Sequence, residues 1–298
     1  MLTRFPVSAP PVRVGRISYM NVAPVYHGLD NGLRPGWMTL VSGPPARLNA
    51  LLADPDADLA VSPVSSAAYA GHADDWTLLP DLSISCRGPV MSVLLVSRRP
   101  MDDLDGAPVI LTDESAAAAA LLRLLFADGG VHPRFATGRV RRPHDLPGAA
   151  EAALVIGDAA LREPWGDRFE WVYDLGKLWW DRTGLPFVFA VWAVRRDFAD
   201  AHPHRSAAIR ERFDASRRHG ARRMDRIIGM AADRLGLPRQ TCRAYYRRLR
   251  YDLEPDQIAG LQAFFDGLHR HGILDRRVTP SFFDPYAGTV EPRKVCAA

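Results

Sequence analysis

Two uninterrupted apolar runs, MSVLLVS at 91–97 and FVFAVWAV at 187–194, constrain this chain more than any other feature in it. Runs of that length without polar alternation read as strands covered on both faces. Between them lies an α/β unit: a strand at 109–112, a helix at 115–127, strand-like Arg139-Val140 and a strand at 153–156. Ahead of the first run, strands at 12–18, 37–42 and 58–62 alternate with helices at 22–31, 44–52 and 64–70. That alternation predicts mostly parallel sheets flanked by helices. Two long strands bracketing an inserted unit then predict an α/β protein of two lobes. The outer lobe is discontinuous, from 1–97 and 195–298, the inner lobe is 98–194, and a ligand cleft lies between them.

From about 205 onward the pattern is helical. Ile209, Phe213, Met224, Ile227, Ile228, Ala231 and Leu235 recur at helical spacing, and arginines from Arg205 to Arg226 fill the other face, as on a docked amphipathic helix. The stretch 231–249 imitates a helix-turn-helix, with a Leu235-Gly236 turn and the basic run Tyr245-Tyr246-Arg247-Arg248. Any two amphipathic helices joined at a glycine match that pattern, so no nucleic-acid partner is expected.

A chain of 298 residues, 47% of them hydrophobic, buries a large core without staples. Cys86, Cys242 and Cys296 are scattered and odd in number, which suits a reducing compartment. The N-terminal stretch MLTRFPVSAPPVR has neither the apolar centre nor the cleavage site of a secretory signal, and no run of about 18 apolar residues occurs. The expected setting is therefore the cytoplasm, with no membrane partner. His202-Pro203-His204 and His269-Arg270-His271 have no partners at metal-ligand spacing, and no P-loop, GxGxxG or GxSxG is present, so no metal and no cofactor is expected. The net charge of +4 comes almost wholly from arginine and favours an anionic ligand without choosing one.

The loop from Arg16 to Pro24 (RISYMNVAP) follows the first predicted strand, where open α/β folds bind ligands. Its Asn21 either fixes a small polar ligand or caps the helix that Pro24 starts. Four other strings pose the same kind of choice. In 157–161 (GDAAL), Asp158 faces the cleft or caps a helix. In 88–92 (GPVMS), Ser92 reaches a ligand at a hinge or bonds to backbone. In 112–115 (TDES), a helix N-terminus receives a ligand carboxylate, or Ser115 is an ordinary cap. Trp179-Trp180 ahead of 183–187 (TGLPF) wall an aromatic pocket or pack the core.

Together these strings resemble the menaquinone-biosynthesis chorismate dehydratases of the futalosine route, within a family of two-lobed proteins shaped like periplasmic binding proteins. The resemblance runs in order over roughly 12–275. It is carried by Val14-Gly15-Arg16-Ile17 with Asn21 and Pro24, by 88–92 and 156–161, by Asp174-Leu175-Gly176, by Trp179, and by 183–192 (TGLPFVFAVW).

The resemblance implies loss of water from chorismate, giving 3-[(1-carboxyvinyl)oxy]benzoate. Chorismate is a dianion whose ring becomes aromatic on losing its hydroxyl and the adjacent ring proton, so neither a redox cofactor nor a metal is required. The protein must bind two carboxylates, orient the leaving hydroxyl and exclude water. The implied catalytic residues are Asn21 and Ser92. The implied substrate-binding residues are Ser18, Ser65, Met91, Ser115, Ala116, Asp158, Trp179, Thr183, Gly184, Leu185 and Pro186. No protein base is placed by the sequence, so the substrate's own enolpyruvyl carboxylate is the expected proton acceptor. The family often carries Ser-x-Thr-Ser at the start of the inner-lobe helix. Here Ser115 remains and Ala117 and Ala118 replace the later hydroxyls, leaving a carboxylate to Ser115 and backbone N–H groups.

Three rival readings stay open. One is the related enzyme that makes 1,4-dihydroxy-6-naphthoate, which uses a histidine base. The first loop here reads Ser18-Tyr19-Met20-Asn21, and His27 comes later, in a predicted helix. The others are a non-catalytic solute-binding protein and a DNA-binding regulator with a two-lobed sensor. Monomer and homodimer are both compatible with the sequence.

Overall fold

The structure is a computed structural model that describes residues 10–284; Cys296 and most of the N-terminal stretch lie outside them. The chain opens with β1 (Val12–Ile17), α1 (Ala23–Gly28), β2 (Met38–Gly43), α2 (Pro45–Ala53), β3 (Val61–Ser65), α3 (Ser66–Gly71) and β4 (Trp76–Cys86). It crosses through 87–92 into β5 (Val93–Ser97), β6 (Pro108–Leu111), α4 (Ala116–Asp128), β7 (Arg134–Thr137) and β8 (Ala152–Ile156). There follow α5 (Gly157–Arg162), β9 (Trp171–Asp174) and α6 (Leu175–Thr183). The chain returns as β10 (Phe187–Arg195) and ends in α7 (Arg196–Ala201), α8 (Pro203–Ala221), α9 (Met224–Leu235), α10 (Arg239–Arg248), β11 (Leu249–Arg250) and α11 (Pro255–Arg270).

Two sheets result, with strand orders β11-β4-β10-β3-β1-β2 and β7-β6-β8-β5-β9. Among the described residues, parallel pairing between strands is confined to β1 with β2 and β3, and β6 with β7 and β8, with one isolated parallel bridge between Leu78 and Phe282. Both long apolar strands run antiparallel to both of their neighbours. The sheets are thus mixed, not mostly parallel: a chain that leaves one sheet and re-enters it brings its connecting strands in reversed. β5 pairs within the second sheet, so the first crossing lies at 87–92 rather than at the end of that strand.

β4 has no counterpart among the expected strands, because Pro80-Asp81 interrupt its apolar pattern. The strand survives the break as a local irregularity. Asp81 adopts φ +64°, and the register against β10 shifts between Val188 and Ala190 and again between Val191 and Ala193. Arg139-Val140 is not a strand either. β7 ends at Thr137, and Val140 instead joins a small core cluster with Val96, Leu146, Trp165 and Phe169. The larger cluster is continuous across both sheets and takes in the helical tail through Phe213, Ile227, Tyr245 and Phe264. The helix-turn-helix look-alike is α9 and α10 joined at Gly236, and α10 buries Tyr245 and Tyr246 in that core. No helix among the described residues is long and apolar enough to cross a membrane.

α8 packs on α1 through Gly220, where a Cβ would sit 2.0 Å from the Pro24 carbonyl oxygen. Gly220→Ala should therefore destabilise the fold by about 2–3 kcal/mol through overpacking. In an open helix interior the same change stabilises by up to about 1 kcal/mol. The sign of the shift in a thermal melt decides between these outcomes.

Candidate active site

A narrow cavity lies between the two sheets. It encloses ≈ 640 Å³ of empty space, mouth included. Tyr19 and Asn21 wall it from the loop after β1, Ser65 from the end of β3, and Phe189 and Ala190 from β10. Val90 and Ser92 enter from the crossing at 87–92. Glu114 and Ser115 come from the start of α4, and Ile156 and Gly157 from the junction of β8 and α5. A slot of this kind, mostly apolar with a few converging polar groups, is the usual build of a small-molecule site.

The Asn21 loop is held from several sides. The Tyr246 hydroxyl donates to the Met20 carbonyl at 2.8 Å, and Arg234 donates to the Ser18 carbonyl at 3.0 Å. Gly15 lets β1 pass close to β3, since a Cβ there would lie 2.2 Å from Ser62 Oγ. Asn21 Oδ1 is buried and has no hydrogen-bond partner among the described residues. A buried amide oxygen without a donor is costly, and its place on the wall of a cavity points to a ligand that supplies one.

Ser92 is fixed by a second set of contacts. Asp174 caps α6 by accepting from the Lys177 N–H at 3.1 Å. The same carboxylate accepts from the N–H groups of Val90 at 3.0 Å and Met91 at 2.6 Å. Those bonds hold Met91 at φ +67°, a left-handed conformation that a non-glycine residue keeps only when its surroundings impose it. Gly176 completes the turn, because a Cβ there would meet Cys86 Sγ at 2.7 Å and the Gly88 carbonyl at 2.8 Å. The Ser92 carbonyl then accepts from Gly157 N–H at 2.8 Å, and its hydroxyl is hydrogen-bonded to the buried Tyr245.

Two of the cavity's hydroxyls serve as helix caps. Ser65 Oγ accepts from Ala68 N–H at 3.1 Å, and Ser115 Oγ accepts from Ala118 N–H at 3.2 Å. α4 has 13 residues, and its leading N–H groups have no acceptor within the helix, so its positive end opens toward the cavity at Ser115. Ala117 and Ala118 are fully buried, so hydroxyls there would face the core.

Charge is concentrated at the mouth. Glu114 pairs with Arg141 at 2.7 Å. Burial pushes the Tyr19 phenol up to about 12, helped by the Glu114 and Asp158 carboxylates and opposed by Arg141 and Arg139. The phenol therefore stays a hydrogen-bond donor at neutral pH. Burial also raises the Asp158 carboxyl, with Arg234 and Arg162 pulling the other way. Asp158 lies in an adjoining cavity with Tyr19, Glu114, Arg141 and Arg162 rather than on the wall of the first.

Of the residues singled out from sequence, Asn21, Ser65, Ser92 and Ser115 converge on one cavity. Ser18, Met91 and Ala116 are each next to a lining residue but are not on the wall, and Ser18 meets the site only through its carbonyl. The block 179–186 goes elsewhere. Trp179 is buried edge-on against Phe187 and Phe264, with its indole N–H on the Pro186 carbonyl at 3.2 Å. Thr183 and Gly184 close α6: Thr183 Oγ1 donates to the Trp179 carbonyl at 2.8 Å and accepts from Leu185 N–H at 3.1 Å, and Gly184 takes φ +65°. Pro186 is covered by α11, where a Cβ on Gly260 would come within 2.1 Å of the Pro186 carbonyl oxygen. The tryptophans are thus core and surface groups, Trp180 lying under the Arg87 guanidinium at 5.4 Å. From the 183–192 string only Phe189 and Ala190 reach the cavity.

Sequence reasoning missed Tyr19, Glu114 and Phe189 as wall residues. The first two stand in strings already singled out, and Phe189 is two residues from Phe187 on the same strand, so the period of two was the available signal. Among the described residues no group of three or more His, Cys, Asp or Glu is placed to hold a metal ion.

Comparison with known proteins gives the family and the fold. A family model described as menaquinone biosynthesis matches residues 12–270. The chain is 36% identical over 274 residues to the chorismate dehydratase of Thermus thermophilus, covering 87% of this chain and 95% of that protein. It is 30% identical over 182 residues to the 1,4-dihydroxy-6-naphtoate synthase of the same organism, covering 57% of this chain and 65% of that one. In fold it superposes on the periplasmic aliphatic sulphonate binding protein of Escherichia coli with a TM-score of 0.60 and 16% identity, over 96% of this chain and 97% of that one. The fold is thus periplasmic-binding-protein-like, and the chain belongs to the menaquinone-biosynthesis family.

Proposed function

We propose that this protein dehydrates chorismate to 3-[(1-carboxyvinyl)oxy]benzoate in menaquinone biosynthesis by the futalosine route. The observation that carries the reading is the buried, unpartnered Asn21 Oδ1 beside Ser92 in a narrow cavity. The leaving hydroxyl of chorismate is a donor of the kind that oxygen lacks. The similarity to a chorismate dehydratase over 87% of the chain selects the substrate.

In this mechanism Asn21 and Ser92 flank the ring and orient the hydroxyl. The ring C–H proton passes to the substrate's enolpyruvyl carboxylate, its electron pair forms the new ring double bond, and the C–O bond breaks. The carboxylic acid so formed gives that proton up to the departing hydroxide, which leaves as water, so one chorismate gives one aromatic product and one water and the carboxylate is restored. The N-terminus of α4 at Ser115 receives one substrate carboxylate. Tyr19 stays protonated and offers its hydroxyl at the mouth. Closure of the inner lobe on the outer about the 87–92 crossing excludes water and fixes the reacting geometry. The cytoplasm is the setting we propose, supported by the free thiols of Cys86 and Cys242.

The naphthoate-synthase reading needs a histidine in the cleft, but His27 is buried in α1 and lines a different cavity. The solute-binding reading needs binding without turnover. Mixing the protein with chorismate and following absorbance and mass separates these. Loss of one water with a new aromatic spectrum supports the dehydratase, and saturable binding with chorismate recovered unchanged contradicts it.

A further inference from the structure

α1 begins two residues after Asn21, and its last turn faces a second cavity. This cavity encloses ≈ 1020 Å³ of empty space, mouth included. Its walls are His27 and Asn31 from the end of α1 and the following turn, His219 from α8, and the α8–α9 junction. That junction contributes Arg222, Arg223 and Arg226, none of which has an ion-pair partner among the described residues. The one carboxylate on the wall, Asp225, is taken by Arg243 at 2.8 Å.

Two further features make the walls receptive to negative charge. α9 starts at Met224 with no side-chain cap; the Arg226 and Ile227 N–H groups donate to the Arg223 carbonyl at 3.0 and 3.1 Å, which leaves the N–H groups of Met224 and Asp225 at the open end of a 12-residue helix beside the arginines. His27 is 5% exposed, its Nδ1 lies 3.1 Å from His219 Nδ1, and its Nε2 is buried with no partner. Burial, with His219, Arg226 and Arg223 nearby, holds the His27 imidazole below its ordinary range, and only Asp30 opposes them. The ring is therefore a neutral group in cationic surroundings.

We infer that this cavity is a binding site for a small, multiply charged oxyanion, separate from the cleft that holds Asn21. Three guanidinium groups, an open helix N-terminus and an imidazole edge together suit a ligand with several acceptor oxygens, such as a diphosphate or a polycarboxylate. The site joins α1 to α8 and α9, so an occupant ties the helix that follows the Asn21 loop to the helical tail.

Isothermal titration of the full-length protein with pyrophosphate and with citrate, at fixed ionic strength, tests the inference. Saturable binding of either ion is expected, weakened about tenfold or more in the double variant Arg223→Gln/Arg226→Gln. Tighter binding of pyrophosphate assigns the ligand to the phosphates, and tighter binding of citrate to the carboxylates. Absence of binding to both at about 10 mM, or equal binding by the double variant, overturns the site. Should the double variant fail to fold, imidazole resonances of the unaltered protein decide. Pyrophosphate should shift those of His27 and His219, and bound ion without such shifts places the anion elsewhere and overturns the inference. Asn21→Ala should bind the ions as the unaltered protein does, so this result is independent of chorismate turnover.

Discussion

Replacing Asn21 by alanine should lower kcat for chorismate about 10²–10³-fold, the usual cost of removing one preorganised polar group at a reacting centre. The change should leave the fold intact. Asn21 Oδ1 has no partner among the described residues, so the substitution breaks no hydrogen bond of that atom within the protein. It also removes a buried unsatisfied oxygen, which predicts an unchanged or slightly raised melting temperature. Lost turnover with undiminished stability is the signature of a group kept for the ligand. A structural asparagine would show the reverse. Stability and steady-state rates measured on one preparation therefore separate the two roles.

Asp174→Ala should have the second large effect, and on both readouts. Its carboxylate accepts from Val90, Met91 and Lys177 N–H groups at the crossing between the sheets. Without it, α6 loses its cap and Met91 loses what holds it at φ +67°. Bonds to a charged acceptor contribute roughly 1.5–3 kcal/mol each at most, and these three share one group, so a total loss of about 3 kcal/mol is expected. For a chain of this size that corresponds to a fall in melting temperature of about 5 °C. Turnover should fall as well, because Ser92 is the next residue and moves with Met91. Asp174→Asn keeps one acceptor oxygen and should recover part of both losses. Loss of stability with kcat unchanged would show that the crossing supports the fold but does not position Ser92.

How far the sequence reached follows from where each constraint is written. The two apolar runs announced one central strand in each sheet because burial on both faces leaves them few polar positions. They could not announce their own direction, since antiparallel pairing comes from the path of the whole chain. β4 stayed hidden because Pro80 and Asp81 look like a turn, and only the bulged partner strand shows how the break is absorbed. Asn21 and Ser92 were legible through resemblance, and the cavity brings them together. Trp179 and 183–186 show the limit of that route. Their string resembles the family as strongly as any, yet the indole bonds to the Pro186 carbonyl and Thr183 and Gly184 close a helix. A string can be specific to a family because the fold needs it. Tyr19 was within reach, but its raised pKa comes first from burial and then from Glu114 and Asp158, all of which depend on segments brought to it from other parts of the chain.

A proton NMR time course of chorismate with catalytic amounts of the unaltered protein decides whether the cavity around Asn21 is a dehydratase site. The ring-diene signals should decay as those of a 3-substituted benzoate appear, one for one, with the enolpyruvyl vinyl protons retained, and Asn21→Ala should slow this about 10²–10³-fold. Chorismate that stays unchanged beside the folded protein, or a variant that matches the unaltered protein, would contradict it.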